Sequence, residues 1–389
     1  MIVFSSYPAD PRPRRAAEAL LKEGMSIDLL CEAEGELLRR ERIGRLEIIR
    51  IPVKRSRDGV ISYAYQYSAF ILIAAFIVAW RCLRCHYDLV YVHNMPDILV
   101  VCALFPKLLG AKVILDQHDP MPELMRTIFR LQEKSLGVWL IRLMEKWSIA
   151  CADLVITVNV ACKRLFATRS CRPEKIGVVM NSPDGEIFPY RTATSYPPPR
   201  AGDRFVIMYH GSLVERNGAG LIVDALAQLR KTIPGVELRV YGSSTPYLGQ
   251  VMDKVRRFDL TDCVRYLGPK RLEDLAYEIA ACDVGVIPNE RNPFTDINTP
   301  TRIFEYLALG KPVIAPRTLG IEDYFGQGSL FFFESGNAEE LARKLEEVYL
   351  HPDRAVASAK RGQEVYLKHT WCEERQTLVK LVSGLLARA

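Results

Sequence analysis

Asn298-Thr-Pro-Thr-Arg-Ile-Phe-Glu305-Tyr-Leu-Ala-Leu-Gly310-Lys-Pro-Val-Ile-Ala315 is the stretch that decides how the rest of the chain is read. Asn298 and Thr299 stand as cap residues before Pro300 at a first helical position. Ile303, Tyr306 and Leu307 form an apolar face, and Gly310 stops the helix before a short buried strand. Such a helix start is suited to an anion, because its N–H groups and positive dipole end complement a phosphate. Thr301 and Arg302 flank that end, and Glu305, one turn inside, can accept hydrogen bonds from sugar hydroxyls. The stretch predicts a nucleotide-sugar site; the alternative is an ordinary capped helix feeding a strand.

Outward from it, short apolar strands alternate with helices, twice over. In the first half strands are expected at 2–5, 26–31, 46–52, 89–92, 113–116, 154–158 and 176–180, with helices such as 14–23 and 98–109 between them. A polar, proline-bearing stretch from Pro189 to Arg204 reads as a linker. The alternation resumes with strands at 205–209, 236–240, 264–267, 284–287, 313–315 and 330–333, and three helices close the chain. Buried parallel strands need helical crossovers of this kind, so the fold class is α/β, two doubly wound parallel-sheet halves with ligands at the carboxyl ends of the strands. The expected boundaries are 1–187 for an acceptor-binding half, 188–368 for a donor-binding half and 369–389 for a closing helix.

Further motifs sit at strand ends. Tyr209-His-Gly211-Ser212-Leu-Val-Glu-Arg216-Asn217-Gly218 follows a strand and opens a helix, where glycine lets the backbone approach a ligand and arginine can neutralise a diphosphate. Tyr241-Gly242 and Tyr266-Leu267-Gly268 follow two more strands. In the first half, one strand runs out into His93-Asn-Met-Pro-Asp97, with His93 more structural than catalytic in character. The next gives Asp116-Gln-His118-Asp119-Pro-Met-Pro-Glu123, a histidine and three carboxylates that are costly to bury without partners and so suggest an open polar cleft. Asp10-Pro-Arg12-Pro-Arg14-Arg15 follows the first strand, and arginines at a helix start argue for an anion in front of them.

Taken together these motifs resemble the retaining glycosyltransferases of family 4, with the two-domain GT-B fold. The P-x-[KR]-x-x-E-[YA]-x-A-x-G-x-P-V-[IV]-A pattern of that family is matched by Pro300, Arg302, Glu305, Gly310, Pro312 and Ala315. The loop Gly211 to Gly218 resembles its G-x-x-x-x-x-[KN]-G loop, with Ser212 and Asn217 where many relatives carry Arg and Lys. The His118 stretch resembles the D-x-H-[DE]-x-x-P-E of polysaccharide-type members, whose histidine faces the transferred sugar. Residues 10–15 resemble the D-P-R-x-R-R variant. The resemblance implies a site with His118, Arg216 and Glu305 as catalytic residues. Gly211, Ser212, Asn217, Gly242, Leu267, Gly268, Asn298, Thr299, Thr301 and Arg302 would bind the donor, and Asp10, Arg12, His93 and Asp119 would line the acceptor side. No metal and no cofactor are implied, because the nucleotide sugar, a UDP- or GDP-sugar, is a substrate. The first glutamate of the family's E-x7-E pair corresponds to Ile297, with Asp296 or Asn298 as substitutes. The last helix, Trp371 to Leu386, is the one implied to cross back to the N-terminal half.

Composition sets the frame around these motifs. A chain of 389 residues with 49% hydrophobic content predicts two or three domains with full cores. Ten scattered cysteines without an export signal fit a reducing, cytoplasmic compartment, and no nucleic-acid partner is suggested. Cys82-Leu-Arg-Cys85-His86 spells a haem-attachment pattern, but in that compartment the thiols read as packing residues and no haem is expected. From Leu37 to Arg84 ten Lys/Arg face three acids, and the segment contains the apolar run Ala69 to Trp80. Twelve such residues are too few to span a bilayer. Two readings stay open: a helix lying in an anionic membrane surface, or a fully buried crossover helix. Phe70, Ile73 and Ile77 are the positions expected to separate them.

The expectation is thus a cytoplasmic hexosyltransferase, peripheral on the inner face of the membrane, moving sugar from a nucleotide donor to a lipid-linked glycan in surface polysaccharide or glycolipid assembly. The alternatives are a GT-B sugar-nucleotide epimerase and a catalytically silent nucleotide-sugar-binding partner.

Overall fold

The computed structural model describes residues 1–35, 37–53, 60–194 and 204–387, with the side chains of 60–64 left aside. Lys54, Arg55, Arg57 and Asp58 of the basic segment, and Pro197 to Pro199 of the expected linker, lie outside the described residues. By packing the chain forms two compact units, Met1–Met180 with Glu374–Ala389, and Asn181–Glu373.

The N-terminal unit runs β1 (Ile2–Ser6), α1 (Pro11–Lys22), β2 (Ile27–Glu32), β3 (Arg40–Ile43), β4 (Leu46–Ile51) and α2 (Val60–Cys82). It continues with β5 (Leu89–His93), a 3-10 helix Asp97–Ala103, α3 (Leu104–Leu108), β6 (Lys112–Gln117), α4 (Met121–Phe129) and α5 (Leu136–Cys151). β7 (Leu154–Thr157), α6 (Val160–Arg169) and β8 (Ile176–Val178) complete the first pass. The sheet order is β3-β4-β2-β1-β5-β6-β7-β8. Every pairing is parallel except β3 with β4. That strand was absent from the sequence reading because Arg40-Glu-Arg-Ile43 is a charged edge element with no apolar run, as exposed edges tend to be.

The C-terminal unit runs β9 (Phe205–His210), α7 (Ala219–Leu229), β10 (Val236–Tyr241), α8 (Pro246–Arg257), β11 (Val264–Tyr266), α9 (Leu272–Ala280) and β12 (Val284–Val286). α10 (Thr301–Ala308), β13 (Val313–Pro316), α11 (Leu319–Glu322), β14 (Phe331–Phe333), α12 (Ala338–Leu350) and α13 (Pro352–Tyr366) follow. The six strands are all parallel, in the order β11-β10-β9-β12-β13-β14. Their apolar faces meet α7 and α12 in one core, with Ile207, Leu226, Val284 and Leu345 wholly buried. The described part of the expected linker is packed rather than free. Arg191 N–H donates to Ala308 O, and Ala193 N–H donates to the Gln363 side chain on α13, 3.0 Å away.

The last helix, α14 (Trp371–Leu386), belongs with the N-terminal unit from Glu374 onward. Glu374 accepts from Met180 N–H at 2.7 Å, and Leu381 covers Gly177, where a Cβ would come within 2.5 Å of it.

α2 differs from the fully buried reading of its sequence. It is 23 residues long, because Tyr65 to Ser68 continue the helix ahead of the apolar run, and Tyr65–Cys82 is long and apolar enough to cross a membrane by length and composition. One stripe, Gln66, Phe70, Ala74 and Val78, is buried, with Phe70 edge-on to Phe4 of β1 at 5.0 Å. The opposite stripe, Tyr65, Leu72, Phe76 and Trp80, is exposed. The helix is therefore neither fully buried nor free. Phe70 is a core residue and cannot report on a surface.

Candidate functional site

In the C-terminal unit the glycine-bearing strand ends converge. Gly211 N–H donates to Tyr241 O, Gly242 N–H donates to Gly268 O, and Tyr266 Oη donates to Gly242 O at 2.8 Å. A Cβ on Gly242 would stand 2.2 Å from Gly211 O, so only glycine permits this approach. Leu267 N–H is tied to Val240 O, which fixes the third strand end beside the second. The loop after β9 is folded on itself: Asn217 Nδ2 donates to Ser212 O, and Gly218, at φ +67°, takes a conformation that leaves its missing Cβ 2.0 Å from Pro288 O. Arg216 holds the same loop through its carbonyl, which accepts from Glu290 N–H.

α10 supplies the charged groups. It begins one residue later than the sequence suggested: Pro300 is itself the cap, and no side chain caps the helix. Thr299, expected as a cap, turns its hydroxyl to Gly320 O at 2.6 Å. The start of the helix is thereby left to its backbone N–H groups, the arrangement that suits an anion. Arg302 reaches back across the sheet, with Nη1 2.7 Å from His210 O, Nη2 3.0 Å from Asn289 Oδ1, and its guanidinium packed against Gly211. Glu305, partly exposed, has Oε2 3.3 Å from His210 Nε2. Burial, with the nearby Arg302 charge, holds His210 well below the usual histidine range and so neutral. Asn298 and Thr301 are half-buried beside them, and Asp296 pairs with Arg291 at 3.3 Å. His210 and Asn289 were not singled out from sequence. His210 directly precedes Gly211, and that adjacency was the available signal.

In the N-terminal unit the sequence-selected residues form a second cluster. Asp10 caps α1, accepting from Arg12 N–H. Arg12 does not face an external anion: its guanidinium binds Asp116 through Nε at 3.0 Å and Nη2 at 2.6 Å, and donates to Val179 O. Tyr91 Oη donates to Asp116 as well, and His93 Nδ1 lies 3.4 Å from it. Burial would raise Asp116, but Arg12 and His93 outweigh it and keep the carboxyl ionised far below the ordinary range. Burial lowers His93. Glu123 is likewise paired, bidentate with Arg169, which also holds Glu145. Guanidinium partners, Arg12 buried and Arg169 partly so, rather than an open cleft, thus account for Asp116 and Glu123.

His118 and Asp119 remain partly exposed at the end of β6. Asn94 fixes them: its Oδ1 accepts from His118 N–H at 3.1 Å, and its Nδ2 donates to Asp119 O at 2.7 Å and to Gln117 Oε1. Burial acts to lower His118, but Asp119, with Nδ1 to Oδ2 at 3.8 Å, and Asp116 prevail and raise it. Asp97, buried below Asn94, is pushed up to about 7 by burial and Glu145. Among the described residues no group of three or more His, Cys, Asp or Glu is placed to hold a metal ion. The ten cysteines are all in the thiol form, and Cys85 is exposed.

Two family models match this chain: "Glycosyl transferase 4-like domain" over residues 9–182 and "Glycosyl transferases group 1" over residues 204–351. Between them they cover most of its length, and the chain belongs to the group 1 glycosyltransferases. A probable glycosyltransferase from Pseudomonas aeruginosa, WbjE, is 25% identical over 244 residues, 60% of this chain and 58% of that protein. The chain spans about half the length of the curated relatives it matches. Among solved structures, sucrose-phosphate synthase from Thermosynechococcus elongatus superposes with a TM-score of 0.79 at 18% identity, covering 100% of this chain and 99% of that one. HepE from Anabaena, in complex with UDP-glucose, gives 0.70 at 17% identity, covering 98% and 99%. These likenesses define the fold as GT-B.

Proposed function

We propose that this protein is a metal-independent, retaining hexosyltransferase that uses a UDP- or GDP-sugar and transfers the hexose to a lipid-linked glycan in surface polysaccharide or glycolipid assembly at the cytoplasmic face of the membrane. The observation that carries the reading is the constellation at Gly211, Gly242, Arg302 and Glu305, where backbone, a guanidinium, a helix start and a carboxylate surround one strand-end loop. The UDP-glucose bound to HepE is consistent with it. Gly211 and Gly242 let the donor approach the backbone, and Gly268 and Leu267 lie against its base. Ser212 and Asn217 shape the loop beneath the diphosphate. Asn298, Thr299 and Thr301 form the wall at the start of α10.

Arg302, Arg216 and the N–H groups of α10 oppose the charge that grows on the diphosphate as the sugar leaves, which is where fixed dipoles and cations lower a barrier most. A leaving phosphate oxygen then takes the acceptor's proton on the face from which it departs, giving retention without a protein nucleophile. Glu305 accepts the ribose hydroxyls, and neutral His210 keeps it oriented. On the acceptor side Asp10, Arg12 and His93 fix the frame, and His118 with Asp119 supplies the polar groups.

A thermal-shift screen against UDP-, GDP- and ADP-sugars tests the reading. A rise in melting temperature with one base, abolished by Gly242→Val, is expected; no stabilisation by any nucleotide sugar would defeat it. Donor turnover without acceptor would favour the epimerase, and binding without turnover a silent partner.

A further inference from the structure

α5 is apolar on both sides. Its inward side carries Val138 and Ile149, fully buried, beside Glu145, which is bound to Arg169 at 2.5 Å and to Ser170 Oγ at 2.6 Å, and buried Ser148. Its outward side carries Leu136, Trp139, Leu140, Leu143 and Trp147, all exposed, at the i, i+3, i+4, i+7 and i+11 spacing of one helical stripe. α2 repeats the pattern, with Phe70, Ala74 and Val78 buried beside Gln66, and Leu72, Phe76 and Trp80 outside. The 3-10 helix Asp97–Ala103 packs against both α2 and α5, and α3, which follows it, exposes Phe105 and Leu108, with Leu109 just past its end exposed as well. Three helices of one unit therefore present apolar outer surfaces around a shared neighbour. Exposed large apolar side chains grouped in this way are unusual for a surface that meets only water.

We infer that α2, α3 and α5 together form the surface by which this enzyme seats on an anionic bilayer, with α5 as a second foot beside α2. The inference rests on the proposed lipid-linked acceptor. Charge favours a membrane over a protein partner. Between Val60 and Cys151 there are nine Lys/Arg and seven acids, but Asp97, Asp116, Glu123 and Glu145 are buried, so the outward balance is positive. Cations also sit beside the aromatic anchors. Arg84 lies over the Trp80 ring at 3.6 Å, and Lys146 precedes Trp147 on the exposed side. Tryptophan with flanking arginine or lysine is the composition that settles at headgroup level. Three other cations of the basic segment are committed to acids: Arg50 to Glu41, Arg81 to Asp28 and Glu47, and Arg40 to Glu47.

Flotation of the full-length protein with phosphatidylcholine vesicles, with and without phosphatidylglycerol, tests this. The variants are L72S/F76S/W80S on α2 and W139S/L143S/W147S on α5, each checked by melting curve. Wild type is expected to float only with the anionic lipid and to lose binding in high salt. Each triple variant should lose about tenfold or more in binding while melting as wild type. An α5 variant that floats as well as wild type would remove the second foot, and a wild type that never floats would remove the membrane altogether. Concentration-dependent dimers in sedimentation velocity, abolished by the α5 variant, would assign the face to a second copy instead. Should an outward triple variant fail to fold, the single replacements Trp139→Ser and Phe76→Ser carry the same comparison. The nucleotide-sugar screen is independent: donor stabilisation without flotation would sink this inference and the membrane location while leaving donor use standing, and flotation without donor stabilisation would sink the nucleotide-sugar reading while leaving the docking surface standing.

Discussion

At the strand ends of the N-terminal unit charge meets charge, with Arg12 on Asp116 and Arg169 on Glu123 and Glu145. At the strand ends of the C-terminal unit three glycines meet one another's backbones, and the charged groups, Arg302 and Glu305, stand to one side on α10. The same βα architecture thus uses polar residues for two purposes. In the first unit they cancel internally and hold a loop, leaving Asp119 half-exposed and His118 largely covered beside it. In the second they leave room. A motif rich in charge is therefore a weaker guide to a binding site than a motif that removes side chains.

Breaking the cancellation should give the largest effect. Asp116→Ala leaves Arg12 buried without its carboxylate and should destabilise the protein by about 3–5 kcal/mol, read as a shifted midpoint in urea. The sign with pH follows from the lowered carboxyl. The stabilisation is fully present above the unfolded value of about 4 and is lost only as pH falls below it. A gap between variant and wild type that closes at neutral pH would contradict the pairing.

Asp97 gives the opposite sign and a smaller effect. Its folded value of about 7 lies above the unfolded one, so wild-type stability should fall as pH rises from about 4 to 7 and then level off. Asp97→Asn, which keeps an acceptor for Asn94, should match wild type in acid and exceed it by roughly 2–4 kcal/mol at pH 8. Urea midpoints across that range that stay parallel for the two proteins would show that Asp97 is ionised in the fold.

How far these features could be read beforehand follows the same division. All strands but β3 were legible, because buried parallel strands are unbroken apolar runs closed by glycine or a helix cap. The cluster of Gly211, Gly242, Gly268, Arg302 and Glu305 was legible for the same local reason. The partners of Asp116 and Glu123 were not. Arg12 is 104 residues from the first and Arg169 is 46 from the second, and nothing local marks such a pair. The outward stripe of α5 was equally hidden. Periodicity reports that a helix has an apolar face but not which way the face points, and Trp139, Leu143 and Trp147 alone would have been placed inside.

On the glycine-rich side, Glu305→Ala should weaken donor binding by about 1–3 kcal/mol in titration calorimetry, the loss expected for a charged hydrogen-bonding partner. His210 is already neutral, so removing Glu305 uncovers no new charge on it and the effect should be flat between about pH 6 and 8. Unchanged affinity for whichever nucleotide sugar stabilises the wild type would take Glu305 out of the site.

The smallest effect distinguishes the two cations of the C-terminal unit. Arg302 is anchored by His210 O and Asn289 and lies against Gly211, whereas Arg216 sits in the loop with its guanidinium carbon 6.0 Å from the Phe294 ring. A group so placed is suited to a charge that appears only as the sugar departs. Arg216→Ala should therefore lower kcat/KM by about tenfold, roughly 1.4 kcal/mol, while uridine or guanosine binds as before and the intact nucleotide sugar nearly so. The measurement is steady-state kinetics on the donor identified by the screen, set beside nucleoside and nucleotide-sugar titrations. If nucleoside affinity falls as much as kcat/KM, Arg216 shapes the loop and does not answer the leaving group. The work of charge in this unit then falls to Arg302 and the helix start alone.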